Sequence, residues 1–401
     1  MNYNQTLAWL FKRLPMYQRV GAPAMRLGLD QMNRLSAALG NPHRSLKCIH
    51  IAGTNGKGST AHMLASVLQT AGYTVGLYTS PHLKDFRERI KINGQLIDKE
   101  IVVDFVKKNL ELLESGNYSF FEATVGMAFS YFSKARVDVA IIEVGLGGRL
   151  DATNIITPIL SIITHISMDH QQFLGNTIES IAVEKAGIIK KNVPVILGQN
   201  KEPVVKVIHE IAETLSSPIF FSNPSETYTT DLLGDYQKEN VATAYMALQV
   251  LTEFDVNEDH MQKGLQAVAK NTGLEGRWQI LERSPMVIAD VAHNEAGISA
   301  VMNQLKSMAF DQLHIVFGMV DDKDFDQIQK QLLKDAKYYF CSPNVVRAKA
   351  VDQLFMEANR LNYNGKSYGS VSDALDAAKT MASPSDIILI CGSLFVVAEV
   401  I

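Results

Sequence analysis

The chain has 401 residues, of which 47% are hydrophobic and 20% charged, and its net charge is −4. This composition excludes extended disorder, collagen and coiled coils, and the length predicts about two domains. The balance of charge argues against a dedicated nucleic-acid-binding protein, which needs a concentrated basic face.

The first twenty residues lack the layout of a signal peptide, and no apolar run reaches the roughly 20 residues that would cross a membrane. The three cysteines, Cys48, Cys341 and Cys391, are scattered and form no C-x-x-C pair. This spacing offers neither a disulfide framework nor a zinc site, and it favours a reducing compartment, the cytoplasm.

Short apolar runs then alternate with helical patterns along the chain. The predicted strands are 48–52, 75–78, 137–144, 159–164 and 193–197. The predicted helices are 59–71, 99–114, 122–134 and 178–190. Continuous apolar strands that are separated by helices indicate βαβ units and a parallel sheet.

A glycine-rich turn joins the first strand to the first helix in residues 47–60, KCIHIAGTNGKGST. Glycines let backbone N–H groups converge on an anion, a helix N-terminus adds partial positive charge, and Lys57 would neutralise phosphate oxygens. The pattern departs from G-x-x-x-x-G-K-[ST], because Gly58 replaces the metal-binding hydroxyl and Ile51 the first glycine. An ordinary βα turn is the alternative, and the strand and helix on either side favour nucleotide binding.

Polar residues also follow other strands at their carboxyl ends, where ligands bind in open α/β sheets. Glu143 ends the apolar run VDVAIIEV, and an ionised group there is costly unless it is paired or binds a metal. A salt bridge to Arg149 is the alternative. Ser80 could supply the missing metal hydroxyl, although serine before proline is usually a turn former. His170 follows strand 159–164 and is either structural or part of the same cleft.

Lys185 lies in the segment NTIESIAVEKAGIIK, on one helical stripe with apolar residues. These residues are Ile178, Ile181, Ala182, Ala186 and Ile189. The stripe predicts a buried lysine, whose lowered pKa would leave a reactive neutral amine. A lysine that is paired, or that extends its ammonium to solvent, is the alternative.

A second alternation of strands and helices occupies the last third of the chain. Its predicted strands are 286–290, 313–318, 337–341 and 386–391, and its predicted helices are 294–307, 324–333, 348–361 and 372–381. Residues 270–277 supply the turn between the two series, and 198–235 are predicted as surface turns. The predicted fold is α/β: an N-terminal P-loop domain with a mostly parallel sheet over 1–275, and a smaller Rossmann-like domain over 276–401.

Ten segments together resemble the folylpolyglutamate synthase/dihydrofolate synthase family of the Mur ligase superfamily, and in particular its bifunctional bacterial members. The segments are GTNGKGST (53–60), YTSPHL (78–83), ERIKING (88–94), IEVGLGGRLDATN (142–154), MDH (168–170), EKAGII (184–189), GDYQKEN (234–240), GRW (276–278), DVAHN (290–294) and CGSLFVV (391–397). They occur in one order over nearly the whole chain.

The resemblance implies a site for ATP and two Mg²⁺ ions, with K⁺ left open as a further cation. Ser80 and Glu143 would bind the Mg²⁺ on ATP, while His170 and a carbamylated Lys185 would hold the second. The implied ATP contacts are Thr54, Asn55, Gly56, Lys57, Gly58, Ser59, Thr60, Asn240, Arg277 and Asp290. The implied catalytic residues are Lys57, Lys185 and His293. The alternatives are an ion pair between Arg277 and Asp290 and a helix-start role for His293.

The resemblance also implies a site for dihydropteroate or folate and one for L-glutamate in the C-terminal domain. The implied pterin-site residues are Leu27, Gly28, His82, Phe121, Glu122, Ala123, Thr124, Leu150, Asp151 and Ala152. Ser393 is a weaker match to a glutamate contact, and LDATN is typical of members that make dihydrofolate. Val291 departs from the family, which usually has glycine there, and the stretch between Leu197 and Gly234 is short.

The activity that the resemblance implies is formation of an amide bond at the expense of ATP. A substrate carboxylate would take the γ-phosphoryl group, and the amine of glutamate would attack the resulting acyl phosphate, with closure of the second domain excluding water. The implied protein is a cytoplasmic monomer that binds neither nucleic acid nor membrane. Three alternatives stay open: a Mur-type ligase for another acid, a P-loop NTPase switch, and a non-catalytic relative.

Overall fold

In a computed structural model of the chain, the structure describes residues 1–16, 28–223, 228–321 and 323–401. The chain forms two compact units. The first contains Met1–Asp231 and Gln237–Leu274, and the second contains Leu232–Tyr236 and Glu275–Ile401. The ligands that the sequence assigns to residues 1–275 and 276–401 stay predictions.

The described part of the first unit contains an eight-stranded sheet with the order β4-β3-β2-β5-β1-β6-β7-β8. Its strands are β1 (Cys48–Ala52), β2 (Val75–Tyr78), β3 (Ile90–Ile92), β4 (Gln95–Leu96), β5 (Val139–Glu143), β6 (Leu160–Ile163), β7 (Val195–Leu197) and β8 (Ile219–Phe221). Pairing is parallel except where β3 meets β2 and β4. The central strands β1, β5 and β6 are wholly buried, as expected of a parallel sheet covered on both faces.

Helices surround this sheet. In the described residues they are α1 (Tyr3–Arg13), α2 (Asp30–Ala38), α3 (Lys57–Thr70), α4 (Lys99–Lys108), α5 (Leu110–Ser115), α6 (Phe120–Ala135), α7 (Gln171–Leu174), α8 (Ile178–Ala186), α9 (Glu202–Thr214), α10 (Gln237–Val250), α11 (Glu258–Leu265) and α12 (Val268–Thr272). No helix in the described parts of the chain is both long enough and apolar enough to cross a membrane.

Three sequence predictions for this unit are wrong in part. The single predicted helix 99–114 is two helices, α4 and α5, which are separated at Asn109. The predicted helix 178–190 ends at Ala186, so Ile189 and Lys190 lie beyond it. The predicted surface turns at 198–235 contain α9 and β8. α9 buries one residue per turn, at Val204, Ile208 and Ala212, which is the pattern of an amphipathic helix.

The described part of the second unit contains a six-stranded sheet with the order β13-β12-β11-β14-β10-β9. Its strands are β9 (Gln279–Arg283), β10 (Met286–Ala289), β11 (Leu313–Phe317), β12 (Lys337–Phe340), β13 (Gly365–Ser367) and β14 (Ile387–Cys391). Its helices are α13 (Glu295–Lys306), α14 (Phe325–Ile328), α15 (Val351–Arg360), α16 (Val371–Met381) and α17 (Leu394–Ala398). Only β9 runs antiparallel, against β10, so the predicted α/β fold with mostly parallel sheets is confirmed.

The strand order of the first unit places its polar loops side by side. β1 lies between β5 and β6, and β2 is the next strand beyond β5. The loops that follow these four parallel strands therefore meet at one edge of the sheet. These loops contain the phosphate loop, Ser80 and His170, and Glu143 is the last residue of β5 at the same edge.

Candidate active site

The phosphate loop packs closely against its neighbours at two glycines. Gly53 has φ +150°, and a Cβ there would lie 1.9 Å from the Thr164 hydroxyl oxygen. Gly56 has φ +90°, and a Cβ there would lie 2.3 Å from Oδ1 of Asn240. Both backbone conformations and both approaches require glycine. Asn240 of the first unit, a predicted ATP contact, therefore lies directly beside the loop.

The backbone amides of this loop divide into two groups. The N–H groups of Thr54 and Asn55 both donate to the carbonyl of His165, at 2.8 and 3.3 Å. These two amides shape the loop, although the sequence predicts both residues as ATP contacts. The first N–H groups of helix α3, from Lys57 to Ser59, have no acceptor within a helix, and its N-cap Gly56 has no side chain. This helix start has the arrangement that an anion cradle requires, and its binding of phosphate stays a prediction.

Two lysines converge on one carbonyl at the base of the loop. Nζ of Lys57 donates to the Gly53 oxygen at 3.0 Å and to the Thr54 oxygen at 3.1 Å. Nζ of Lys185 donates to the same Gly53 oxygen at 2.8 Å. Lys57 is half-buried, whereas Lys185 is buried. The structure therefore brings together the two lysines that the sequence singled out 128 residues apart.

Burial, and then the neighbouring Lys57 charge, lower the pKa of Lys185 to about 7, while Asp169 and Asp151 act in the opposite direction. A large fraction of Lys185 is therefore a neutral amine near pH 7. A neutral amine is the form that adds CO₂. The buried position agrees with the helical stripe seen in the sequence, and carbamylation itself stays a prediction.

Glu143 lies at the carboxyl end of β5 and is 5% exposed. Its Oε2 accepts the backbone N–H of Ser80 at 3.0 Å, so the predicted metal ligands Glu143 and Ser80 are neighbours. The alternative salt bridge to Arg149 is wrong, because Arg149 pairs with Glu184 at 2.8 Å. The Glu143 carboxylate is therefore held by a backbone amide at the edge of the phosphate loop.

His170 has a left-handed backbone conformation, with φ 49°, and begins the short helix α7. Its backbone N–H donates to the carboxylate of Asp169 at 2.8 Å, and its Nε2 lies 3.9 Å from the same oxygen. A non-glycine residue in this conformation is uncommon and often lies at a functional site. Asp169 also lies close enough to affect the pKa of Lys185, so the MDH segment and Lys185 share one neighbourhood.

Among the described residues, no three His, Cys, Asp or Glu side chains are grouped closely enough to form a metal site by themselves. The predicted set contains only two of these types, Glu143 and His170. A serine hydroxyl, a carbamate and phosphate oxygens would complete an oxygen-rich shell, which suits Mg²⁺. The residues present therefore fit a divalent cation that binds together with a nucleotide.

The predicted pterin-site residues Phe121 and Asp151 meet at Gly145. A Cβ on Gly145 would lie 2.4 Å from the tip of the Phe121 ring and 3.2 Å from Oδ2 of Asp151. The Phe121 ring is partly buried against the core, with its centroid 6.2 Å from that of Tyr78. These contacts form an aromatic wall and an acid beside the loop that follows Glu143.

His82 lies beside Arg89 and the rings of Phe11 and Phe86. Nε of Arg89 donates to Nδ1 of His82 at 2.7 Å, and the guanidinium lies 5.4 Å from the centroid of the Phe120 ring. Burial, and then the Arg89 charge, lower the pKa of His82 to about 3. His82 is therefore neutral, and because its Nδ1 accepts, its proton is on Nε2.

Other predicted pterin residues are less accessible. Glu122 is buried and accepts the N–H and hydroxyl of Ser119, in the capping box that begins α6. Ala123 and Thr124 are buried inside the same helix. Gly28 is described, with φ +123°, while Leu27 lies outside the described residues. Leu150 is half-buried and Ala152 buried in the LDATN segment.

In the second unit, Asp290 is buried and well supplied with donors. Its Oδ2 accepts from the Tyr236 hydroxyl at 2.5 Å and from the Trp278 amide at 2.8 Å. Burial raises the pKa of Asp290, while the hydrogen bond from Tyr236 and the Arg277 charge lower it. Arg277 directs one nitrogen to the Gly276 carbonyl, so the described contacts of Asp290 are not an ion pair with Arg277. Tyr236 was not predicted, although it lies within the GDYQKEN segment.

His293 and Ser393 follow neighbouring strands, β10 and β14, in the second unit. Nδ1 of His293 donates to the Val291 carbonyl at 2.9 Å. Asn294 caps α13, so His293 directly precedes the N-cap, and its helix-start alternative stays open beside the catalytic role. The Ser393 hydroxyl caps α17 by accepting the N–H of Phe395 at 3.1 Å. Val291 does not adopt the positive φ that the family glycine would permit.

Two family models match the chain: the Mur ligase middle domain over residues 51–248, and the glutamate ligase domain of Mur ligases over residues 276–394. A dihydrofolate synthase/folylpolyglutamate synthase of Bacillus subtilis is 32% identical over 435 residues, which is 99% of this chain and 98% of that protein. The chain belongs to the folylpolyglutamate synthase/dihydrofolate synthase family. The resemblance that the motifs indicated is thereby confirmed.

Members of this family also match in three dimensions. Escherichia coli FolC in complex with DHPP and ADP has a TM-score of 0.88 and 31% identity over 100% of this chain and 97% of that chain. A bifunctional folylpolyglutamate synthase/dihydrofolate synthase with Mn, AMPPNP and L-glutamate has a TM-score of 0.86 and 30% identity over 98% of this chain and 97% of that chain. A longer Haloferax volcanii relative, a probable bifunctional folylpolyglutamate synthase/dihydropteroate synthase, is 33% identical, and the chain spans 50% of its length.

Proposed function

We propose that this chain is an ATP-dependent, ADP-forming ligase that joins L-glutamate to dihydropteroate, to a reduced folate, or to both. The observation that carries the proposal is the convergence of Lys57 and Lys185 on the Gly53 carbonyl, beside a helix start that can cradle phosphate. The family relatives named for these two activities support it, as do the complexes of family members with ADP, DHPP and L-glutamate.

The chain's own residues divide the work of the reaction. The amides at the start of α3 and the Lys57 ammonium neutralise the phosphates of ATP. They favour attack of the substrate carboxylate on the γ-phosphorus, which gives ADP and an acyl phosphate. The amine of glutamate then attacks the acyl carbon, and phosphate leaves as the amide forms. His293 and Ser393 belong to the unit that we assign to glutamate.

Ser80 and Glu143 would hold one Mg²⁺, and His170 with the carbamate of Lys185 would hold a second. A cation in this place supplies charge neutralisation to the transferring phosphoryl group. Manganese in a related structure supports a divalent metal. We leave K⁺ as an additional cation to be tested, and we expect the enzyme to act as a monomer in the cytoplasm.

The decisive test is an ADP-release assay with L-glutamate, comparing dihydropteroate with tetrahydrofolate and identifying the products by mass. We expect ADP formation to require both the acid and glutamate, and the product to gain one glutamyl residue per ADP. A UDP-muramoyl peptide serves as the control acid. ADP release without an added acid or amine would instead indicate an NTPase switch, and a glutamyl muropeptide would indicate a Mur-type ligase.

Glu143 provides a sharper test of the metal assignment. Glu143→Gln keeps an oxygen that can accept the Ser80 N–H but removes the charge. We expect kcat to fall by at least about 100-fold, and the Mg²⁺ concentration for half-maximal rate to rise, because a neutral amide is a poor Mg²⁺ ligand. Glu184→Gln, which breaks only the surface pair with Arg149, is the matched control. An unchanged Mg²⁺ requirement would remove Glu143 from the metal site.

A further inference from the structure

A histidine stands in the middle of the most central strand of the first unit. His50 lies in β1, between Ile49 and Ile51, and it is 0% exposed. An imidazole in a buried parallel strand needs a partner for its polar atoms. Its Nε2 lies 2.8 Å from the hydroxyl of Thr153, which is 103 residues further along the chain.

Thr153 continues the contact to Asp151. Its hydroxyl donates to Oδ1 of Asp151 at 2.5 Å, and its backbone N–H donates to the same oxygen at 3.0 Å. Oδ2 of Asp151 accepts the N–H of Leu146 at 2.9 Å. Burial raises the pKa of the Asp151 carboxyl group, while the hydrogen bonds from Thr153 and Leu146 lower it. Each of these bonds is one that a carboxyl oxygen of Asp151 accepts.

The directions of these bonds fix the tautomer of His50. The single proton of the Thr153 hydroxyl goes to Asp151, so the hydroxyl oxygen must accept from His50. His50 therefore carries its proton on Nε2. Its Nδ1 is then a bare acceptor, and no hydrogen-bond partner for that atom is found among the described residues. A proton on Nδ1 instead would leave a buried N–H unsatisfied, which is the costlier state.

Asp151 connects this series of hydrogen bonds to the predicted pterin site. Its Oδ1 accepts twice from Thr153, whereas its Oδ2 accepts once from Leu146 and lies beside Gly145 and Phe121. The pterin ring carries a 2-amino group beside a ring N–H, and a carboxylate oxygen can accept from such a donor in addition to a bond that it already accepts. The orientation of the Asp151 carboxylate therefore matters for an acid of this class.

We propose that His50 is a positioning residue for the pterin end of the acid substrate: its Nε2–H orients the Thr153 hydroxyl, which in turn holds the Asp151 carboxylate. The same strand leads into the phosphate loop, so one rigid element supports both the nucleotide site and the acid site. This inference rests on the proposed function, because it needs a pterin substrate.

The test is a double-mutant cycle with His50→Leu and Thr153→Val, measured with dihydropteroate or with the reduced folate that the native chain uses. We expect each change to raise the KM for that acid about 10-fold, the value of one lost hydrogen bond to a charged group, with the KM for ATP unchanged within about twofold. The double variant should be no worse than Thr153→Val alone, because the two residues act in series.

Conservative variants separate positioning from simple destabilisation. His50→Gln can place an N–H near the original Nε2, and Thr153→Ser keeps the hydroxyl, so both should stay within about threefold of the native KM for the acid. Thermal melting and ADP binding confirm that each variant is folded. If His50→Leu does not fold, the cycle is run with His50→Ala. The KM values of Thr153→Val and Thr153→Ser for the acid are then compared to test the role of the hydroxyl.

A readout without turnover is the tautomer of His50, given by long-range ¹H–¹⁵N correlation in histidine-labelled protein. We expect the proton on Nε2. A proton on Nδ1, equal effects on the KM values for acid and ATP, or effects that multiply in the double variant would each overturn the proposal. If the native chain turns over neither pterin acid, the proposed function fails instead, and the tautomer measurement still reports on the His50–Thr153 bond.

Discussion

Lys57→Ala is expected to lower kcat for ADP formation by about 1,000-fold, because under the proposed function it removes an ammonium that neutralises the phosphates of ATP. In the structure Nζ of Lys57 is held by the carbonyls of Gly53 and Thr54, so the ammonium is already directed along the loop. The loss should appear in kcat more than in the KM of the acid. Steady-state ADP release and direct titration with ADP measure the two effects.

Lys107→Ala is the matched control for Lys57, since Lys107 lies exposed on α4 of the same unit. It should leave kcat and nucleotide affinity within about twofold of native, as surface substitutions usually do. A Lys57→Ala enzyme with native kcat would show that the loop binds phosphate through its amides alone. The assignment of Lys57 as a catalytic residue would then be withdrawn.

Lys185→Ala is expected to have a comparable effect, a loss of about 1,000-fold in kcat, with partial recovery when formate or acetate is added. The physical reason is that a carbamate on Lys185 would present a carboxylate, and a small carboxylate can occupy the space left by the side chain. Mass spectrometry of the native enzyme under native conditions should show the additional CO₂. Recovery is measured as kcat against formate concentration.

The pH dependence follows from the lowered pKa of Lys185, about 7 against an ordinary value of 10.5. Above pH 7 the amine is mostly neutral and takes up CO₂; well below pH 7 the ammonium dominates and the carbamate is lost. Enzyme prepared without CO₂ should therefore regain activity on addition of bicarbonate at pH 8 but not at pH 6. A recovery that is equal at both pH values would contradict this account.

The same shift has a consequence for stability. Between pH 7 and 10.5 the unfolded chain binds more protons at Lys185 than the folded chain, so its contribution to the free energy of unfolding rises with pH in this window. Below pH 7 Lys185 is charged in both the folded and the unfolded chain, so the cost of burying its charge lowers the free energy of unfolding by its full amount. Lys185→Met should therefore raise the denaturation midpoint at pH 6 while abolishing turnover. Lys191→Met, at an exposed lysine of the same segment, is the control for removing a lysine.

The central strands were predictable because a short apolar run is by itself typical of a buried strand. The segments 48–52 and 75–78 coincide with β1 and β2, where the apolar runs end before Gly53 and Thr79. β9 was not predicted, since its residues are half-buried or exposed and its pairing with β10 depends on a hairpin. α9 was missed because the serines and prolines that follow it dominated the pattern of 198–235.

Several features of the site were decided by the sequence itself. The order of strand, glycines, lysine and helix specifies an anion cradle, because all its parts are covalent neighbours within residues 47–60. The helical stripe around Lys185 specifies a buried amine, because a helix repeats its faces every few residues. These are local properties, and they needed no knowledge of distant residues.

Only the tertiary structure decided which polar groups of the site already have a partner within the protein. The His165 carbonyl occupies the amides of Thr54 and Asn55, and Glu184 rather than Glu143 takes Arg149. The bond from His50 to Thr153 joins residues 103 positions apart. Such contacts depend on the order of the strands in the sheet and on which residues the packing buries. A short stretch of sequence does not determine either of these, because both involve residues that are far apart along the chain.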